Sequence, residues 1–313
     1  MIAVQPLRSW KNSLKRATRN KGKPAIRGYS RLNETKHRGT TMSILNEIAA
    51  RTKERIDEEK FKVPLRELIS RLNSDAAKAA QEKISFLDAL KKPGMSYICE
   101  VKKASPSKGL IAPDFPYLSI AREYEEAGAS AISCLTEPFY FQGADRYLQE
   151  IAQTVKLPVL RKDFTVDEYM IYQAKAMGAS AVLLICAILD NARLKAFGEL
   201  ARELKLDTLV EAHDEWETNR ALNLGAKIIG VNNRNLHDFT VDMGNSIRLR
   251  SMAPADTVFV SESGIKTAED IQLLQKNKVD AVLIGETLMR SPDKKEALKK
   301  LNRNCVSASA MDK

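Results

Sequence analysis

Histidine, cysteine and long apolar runs are all scarce in this 313-residue chain, and each scarcity excludes a class of function. Only His37, His213 and His237 are present, too few and too scattered for a histidine-rich metal site. Cys99, Cys134, Cys186 and Cys305 are widely spaced with no CxxC pair, which argues against a zinc knuckle or a disulfide scaffold. Three of them sit in apolar runs, as small core residues of a reducing compartment do. No apolar stretch approaches the roughly 20 residues needed to cross a bilayer, so a soluble protein is expected. A GxGxxG loop is also missing, and with it the usual fingerprint of a dinucleotide-binding open sheet.

The formal net charge of +10 suggests nucleic acid until its distribution is examined. Residues 1–41 hold eleven Lys and Arg against the single acid Glu34, so this segment alone carries the +10 and the rest of the chain is neutral. The folded part is therefore not expected to seek polyanions. The segment itself is polar and aperiodic, and disorder is expected there. Three readings compete for it: an upstream mis-assigned start, an Arg-rich organelle transit segment, and a nucleic-acid-binding arm. The first is preferred and the second follows, because Met42-Ser43 opens directly into an amphipathic pattern with Ser43 as its cap.

From Ser43 to about Lys60 the residues Ile44, Leu45, Ile48 and Ile56 fit a helix, and Leu65, Leu68, Ile69 and Leu72 fit another after Pro64. Such helices, covering about residues 43–90, would cap one end of a domain spanning residues 42–313. After residue 95 the pattern becomes a regular alternation. Strand-like runs occur near 96–102, 130–135, 158–162, 180–186, 207–211, 226–232, 257–262 and 279–285, each followed by a helical stretch. Most are continuous apolar segments, as strands buried on both faces of a parallel sheet are. A weak repeat, Ala127-Gly128-Ala129, Met177-Gly178-Ala179 and Leu224-Gly225-Ala226, places glycine at successive helix ends. Eight βα units in about 220 residues imply an α/β fold of the (β/α)8 TIM barrel type with an additional N-terminal helical segment.

Active sites of this fold lie where strands end, and polar residues gather at those positions. The first strand ends with Glu100 and Lys102, two residues apart and hence on one side of it. The third ends with Arg161-Lys162-Asp163, the fifth with Glu211, the sixth with Asn232 and Arg234, and the seventh with Glu262-Ser263-Gly264. Any one of these could be an ordinary wet loop residue; five together are less easily read that way. Lysines and carboxylates around one cavity can supply both proton donor and acceptor. Glycines after strands seven and eight, Gly264 and Gly285, together with a capping-box spacing at Thr267 and Asp270, suit a phosphate cradle aided by a helix N-terminus. His213, Trp216 and Met289 read as structural residues, the last two as packing side chains.

The ordered set EVKKASPSKG, LRKDF, VEAHDE, GVNNRNL, SESGI and LIGETLMR resembles indole-3-glycerol-phosphate synthase over about residues 43–301. The resemblance implies closure of an indole ring from 1-(2-carboxyphenylamino)-1-deoxyribulose 5-phosphate with loss of carbon dioxide and water, in tryptophan biosynthesis, without metal or cofactor. It implies Lys162 as general acid, Glu211 as general base, Asn232 as an orienting group, and Glu100 with Lys102 in positioning and proton transfer. Ser105, Phe164, Arg234, Glu262 and Ser263 correspond to substrate contacts, and Gly264, Gly285 and Glu286 to the phosphate cradle. Ala144 departs from the serine common in the family, which puts a substrate contact near the second strand in question. A cytoplasmic monomer is implied, with a plastid as the alternative if residues 1–41 are a transit segment. Association with other enzymes of the pathway is a further expectation, and neither nucleic acid nor membrane is expected as a partner of the barrel. Phosphoribosylanthranilate isomerase is a rival that would share the last two loops but lacks the EVKKASPS stretch. A silent barrel tethered to nucleic acid by its basic tail is the rival from another class.

Overall fold

The computed structural model describes residues 43–72, 85–235 and 238–303. The expectations for residues 1–41 and for Cys305 lie outside these residues. Eight parallel strands close into a barrel: β1 (Ser96–Val101), β2 (Ala131–Leu135), β3 (Val159–Lys162), β4 (Ala181–Ile185), β5 (Asp207–Ala212), β6 (Ile228–Asn232), β7 (Val258–Glu262) and β8 (Ala281–Ile284). Each pairs with the next, and β8 closes on β1 through Ser96 opposite Ala281 and Ile98 opposite Leu283. The strands match the runs expected from the sequence to within about two residues.

Alternation along each strand divides the barrel into an inner and an outer layer. Ile98, Leu160, Leu183, Leu209, Ile228, Val260 and Leu283 meet inside. Their neighbours Cys99, Val159, Val182, Val210, Ile229, Phe259 and Val282 face outward into the surrounding helices. Gly128, Gly178 and Gly225 follow helices Tyr117–Glu126, Glu168–Ala176 and Glu215–Asn223 with φ of 90°, 83° and 78°. Those values are the left-handed turn that ends a helix and that glycine adopts without a Cβ clash. Cys99, Cys134 and Cys186 are buried and free, as core residues.

The N-terminal helices close both ends of the barrel rather than one. Helix α1 (Ile44–Lys62) starts at Ser43, whose side chain accepts from the Asn46 amide, and lays Ile44, Leu45 and Ile48 over the mouth at the strand C-termini. Helix α2 (Leu65–Leu72) packs against helix Glu168–Ala176. Helix α3 (Phe86–Leu90) plugs the opposite end: Phe86 and Leu90 join the inner core, and Asp207 at the start of β5 accepts from Ser85 Oγ and the Leu87 amide. Among the described residues no helix is long and apolar enough to cross a membrane.

Candidate active site

The inner row of side chains changes character at one level. Below it the row is aliphatic; the next inward positions are Glu100, Lys162, Glu211, Gly230 and Glu262, and above them Lys102 and Asn232. They border a cavity of about 880 Å³ at the C-terminal mouth, which all thirteen residues expected at the site help to line. Arg161 does not join them, and Asp163 borders the cavity only with its carboxylate bound to other groups. As neighbours of inward-facing Lys162 they point outward. Arg161 donates to Met170 O, Asp145 and Thr136, and Asp163 receives both a bidentate Arg55 bond from α1 and the Thr136 hydroxyl. That buried network ties the helix over the mouth to the end of β3.

Lys162 lies at the centre of the charged layer. Its Nζ is 3.0 Å from Glu211 Oε2 and 3.5 Å from Glu262 Oε2. Across the mouth Lys102 pairs with Glu100. Burial opposes the Lys162 ammonium, but Glu211, Glu262 and Glu100 outweigh it and hold the pKa above the ordinary lysine value. Burial also opposes ionisation of Glu211; Lys162 and His213 overcome it and hold that carboxyl below its usual range. Glu262 goes the other way. Burial, joined by the like charges of Glu211 and Glu100, outweighs Lys162 and lifts it to about 7. Its Oε1 is buried without a hydrogen-bond partner, consistent with a carboxyl that resists ionisation.

Two glycines make room for these carboxyls. A Cβ on Gly230 would overlap Glu262 Oε1, and one on Gly285 would overlap Glu100 Oε1. Ser263 holds a left-handed φ of 68°, and its hydroxyl donates to Asn232 Oδ1, which also accepts from the Arg234 amide. With its oxygen so occupied, Asn232 presents its NH2 as the free donor, an assignment that follows from the bonding pattern.

The remaining expected residues form the walls. Ser105 is buried in a short hairpin, Ala104–Ser105 with Gly109–Leu110, which two-residue strands left invisible to periodicity. Phe164 faces Phe141 with ring centroids 6.2 Å apart. The Arg234 guanidinium donates to Phe239 O within its own loop. Glu286 turns its carboxylate to Lys108 and Arg290, and its carbonyl accepts the Arg290 amide, so only its backbone N–H is left toward the cavity. Thr267 and Asp270 do form a capping box, but Asp270 also takes the amides of Lys266 and Thr267. A phosphate cradle would therefore rest on the loops at Gly264, with φ of 92°, and at Gly285 and Glu286.

Some features were not anticipated by the sequence reading. Trp216 is 66% exposed, not packed: its helix buries Glu217, Thr218 and Ala221, and Arg220 one turn on covers the ring at 4.5 Å. Met289 is buried as expected. Ala144 occupies the N-cap of helix Asp145–Thr154 and makes no capping bond, so its departure concerns a helix end. The apolar wall from α1 had no signal in sequence beyond its amphipathicity, and Lys108 had none. His213 lies in the loop just past β5, as read, and its Nε2 is 3.3 Å from Glu211 Oε1.

Known proteins match this chain over most of its length. The family model described as indole-3-glycerol phosphate synthase matches residues 45–301. An indole-3-glycerol phosphate synthase of Ruminiclostridium cellulolyticum is 53% identical over 259 residues, covering 82% of this chain and 98% of the relative. That of Endomicrobium trichonymphae is 55% identical over 262 residues, covering 82% and 99%. Among solved structures, a 3-hexulose-6-phosphate synthase superposes with a TM-score of 0.55 at 17% identity, covering 67% of this chain and 99% of that one, a likeness of fold alone. The extent and level of identity to the first two show that the chain belongs to the indole-3-glycerol phosphate synthase family.

Proposed function

We propose that the cavity converts 1-(2-carboxyphenylamino)-1-deoxyribulose 5-phosphate to indole-3-glycerol phosphate, carbon dioxide and water, as a carboxy-lyase of tryptophan biosynthesis. The observation that carries the assignment of roles is Lys162 Nζ held between Glu211 and Glu262 at the end of β3, with the Glu100–Lys102 pair facing it. Three chemical events follow in order. The ring carbon bearing the carboxylate attacks the ketone carbon, and the ketone oxygen takes a proton. Carbon dioxide then leaves, restoring the aromatic ring. Finally a proton is lost from the methylene beside nitrogen as the new hydroxyl departs with a proton, giving the indole.

Lys162, kept charged by its carboxylates, is the donor to the ketone oxygen. Glu211 is the acceptor for the methylene proton: once Lys162 has given up its proton, Glu211 loses one of the cations that suppress its basicity. The Lys102 ammonium and Glu100 guide the departing hydroxyl, and the Asn232 amide orients the substrate hydroxyls. Phe164 flanks the aromatic ring, Ser105 and Arg234 meet the polar groups of the substrate, and the loops at Gly264 and Gly285–Glu286 hold its phosphate. Monomeric, cytoplasmic operation is part of the same reading.

The direct test supplies the carboxyphenylamino-deoxyribulose phosphate and follows indole fluorescence. Product formation is expected; its absence with well-folded protein would overturn the reading. Lys162→Ala and Glu211→Gln should each cut kcat by roughly a hundredfold or more with smaller changes in KM, since both groups act mainly in transition states.

A further inference from the structure

Beyond the end of β5, two residues past Glu211, His213 continues on the same side of the chain. One carboxylate clamps it. Glu217 Oε2 accepts the His213 amide at 2.9 Å and lies 2.9 Å from Nδ1, so Nδ1 carries a hydrogen. Glu217 is in turn fixed at the start of its helix, where its amide donates to Asp214 Oδ1. From the next helix, Gly244–Arg250, the Asn245 amide donates to His213 O at 3.0 Å. The ring has little freedom to turn, and its Nε2 is left facing Glu211 Oε1 at 3.3 Å, close but not aligned as a hydrogen bond.

We propose that His213 is a positioning residue for Glu211: anchored by Glu217, it holds the second oxygen of that carboxylate while Lys162 holds the first. The inference rests on the reading of Glu211 as the base. Its logic is geometric. A carboxylate paired with a single lysine is free to rotate, and would do so when that lysine transfers its proton. With a cation on Oε1 as well, the carboxylate stays turned toward the substrate through that step.

The charges around the ring support a cation. It faces Glu211 from β5 and Glu217 from the following helix, with Asp214 at the cap and neutral Asn245 beyond. A neutral ring with hydrogen on Nδ1 would aim a lone pair at Glu211. Burial disfavours the charged ring, but the two carboxylates outweigh it and lift the pKa to about 10. In its resting state the base is thus bracketed by imidazolium and ammonium.

The test is His213→Asn, which keeps a polar side chain and removes the cation. We expect a roughly tenfold to hundredfold fall in kcat with KM little changed. The acidic limb of the kcat profile should move up by about one pH unit, because a carboxylate without its neighbouring cation ionises at higher pH. Glu217→Gln should move it in the same direction by less. Profiles that overlay the parent in both variants would overturn the proposal. Should His213→Asn fail to fold, nitrogen-15 NMR of the His37→Gln/His237→Gln protein, where His213 is the sole imidazole, decides instead. Both ring nitrogens are expected protonated at pH 8, and a neutral ring at pH 7 would refute the bracketing. Glu211→Gln in the same assay separates the two levels of inference. If it turns over normally the assignment of the base fails, whereas an inactive Glu211→Gln beside an unshifted His213→Asn sinks only the role of His213.

Discussion

Glu262→Gln should make the protein relatively more stable in alkali than in acid, against the usual expectation for deleting a carboxylate beside a lysine. Glu262 is fully enclosed, has one oxygen without a partner, and shares its cavity with Glu211 and Glu100. Moving its carboxyl from 4.5 to about 7 on folding corresponds to about 3 kcal/mol. The sign follows from proton binding. Between those values the native state holds the proton more firmly than the unfolded chain, so the contribution to stability is fully present below about 4.5 and is lost as the pH rises through 7. Glutamine is neutral throughout and removes that dependence. Urea unfolding of both proteins at pH 5 and pH 8 reads it directly. The stability difference, variant minus parent, should increase by about 2–3 kcal/mol between the two pH values, with any constant cost of the substitution cancelling. A difference that stays flat, or that falls toward pH 8, would falsify the argument and show that Lys162 keeps Glu262 ionised in the native state.

Other substitutions test the scaffold. Arg55→Met removes the bidentate partner of buried Asp163 and should cost about 3 kcal/mol in unfolding experiments, with a raised KM as the Ile44–Ile48 wall loosens. Ala144→Ser supplies the missing cap of helix Asp145–Thr154 and should add about 1 kcal/mol without altering kcat; a change in KM instead would restore Ala144 to the substrate wall. Gly230→Ala should fold yet lose most turnover, because its Cβ takes the space of Glu262 Oε1, and Glu262→Gln on that background should recover no activity.

The strands were legible because each is buried on both faces and bounded by turns, so position along the chain alone located their ends. The site was legible for a related reason. In the inner row Leu209 is followed by Glu211, Val260 by Glu262 and Leu160 by Lys162, and a charge placed two residues beyond a core aliphatic has no structural need to be there. The same rule applied to immediate neighbours misleads. Arg161 and Asp163 flank Lys162 and carry equally conspicuous charges, yet Arg161 lies outside the cavity and the Asp163 carboxylate at its border is taken up in the attachment of α1. Polarity at a strand end identified the neighbourhood; alternation decided which members belong to the cavity. What stayed hidden depends on contacts distant in sequence. The Arg55–Asp163 bond spans 108 residues, and nothing local in either segment announces the other. Trp216 was misjudged because helix phase, not residue type, decides exposure, and the buried phase of its helix belongs to Glu217, Thr218 and Ala221.

The charged layer also limits how far its residues can be assigned separate tasks. Glu100, Glu211 and Glu262 share one enclosed space with Lys102 and Lys162, and three carboxylates against two ammonium groups leave one negative charge uncompensated. One device offsets it: Glu262 binds its proton up to about neutral pH, while the His213 cation at the edge is matched by Glu217. Proton transfer from Lys162 would leave the Glu211 carboxylate without its nearest counter-ion, and Glu211 would then become the better proton acceptor. The acid step thus prepares the base step. A substitution at any one of these five residues should accordingly shift the pH dependence contributed by the others, and effects on kcat within the layer should be far from additive.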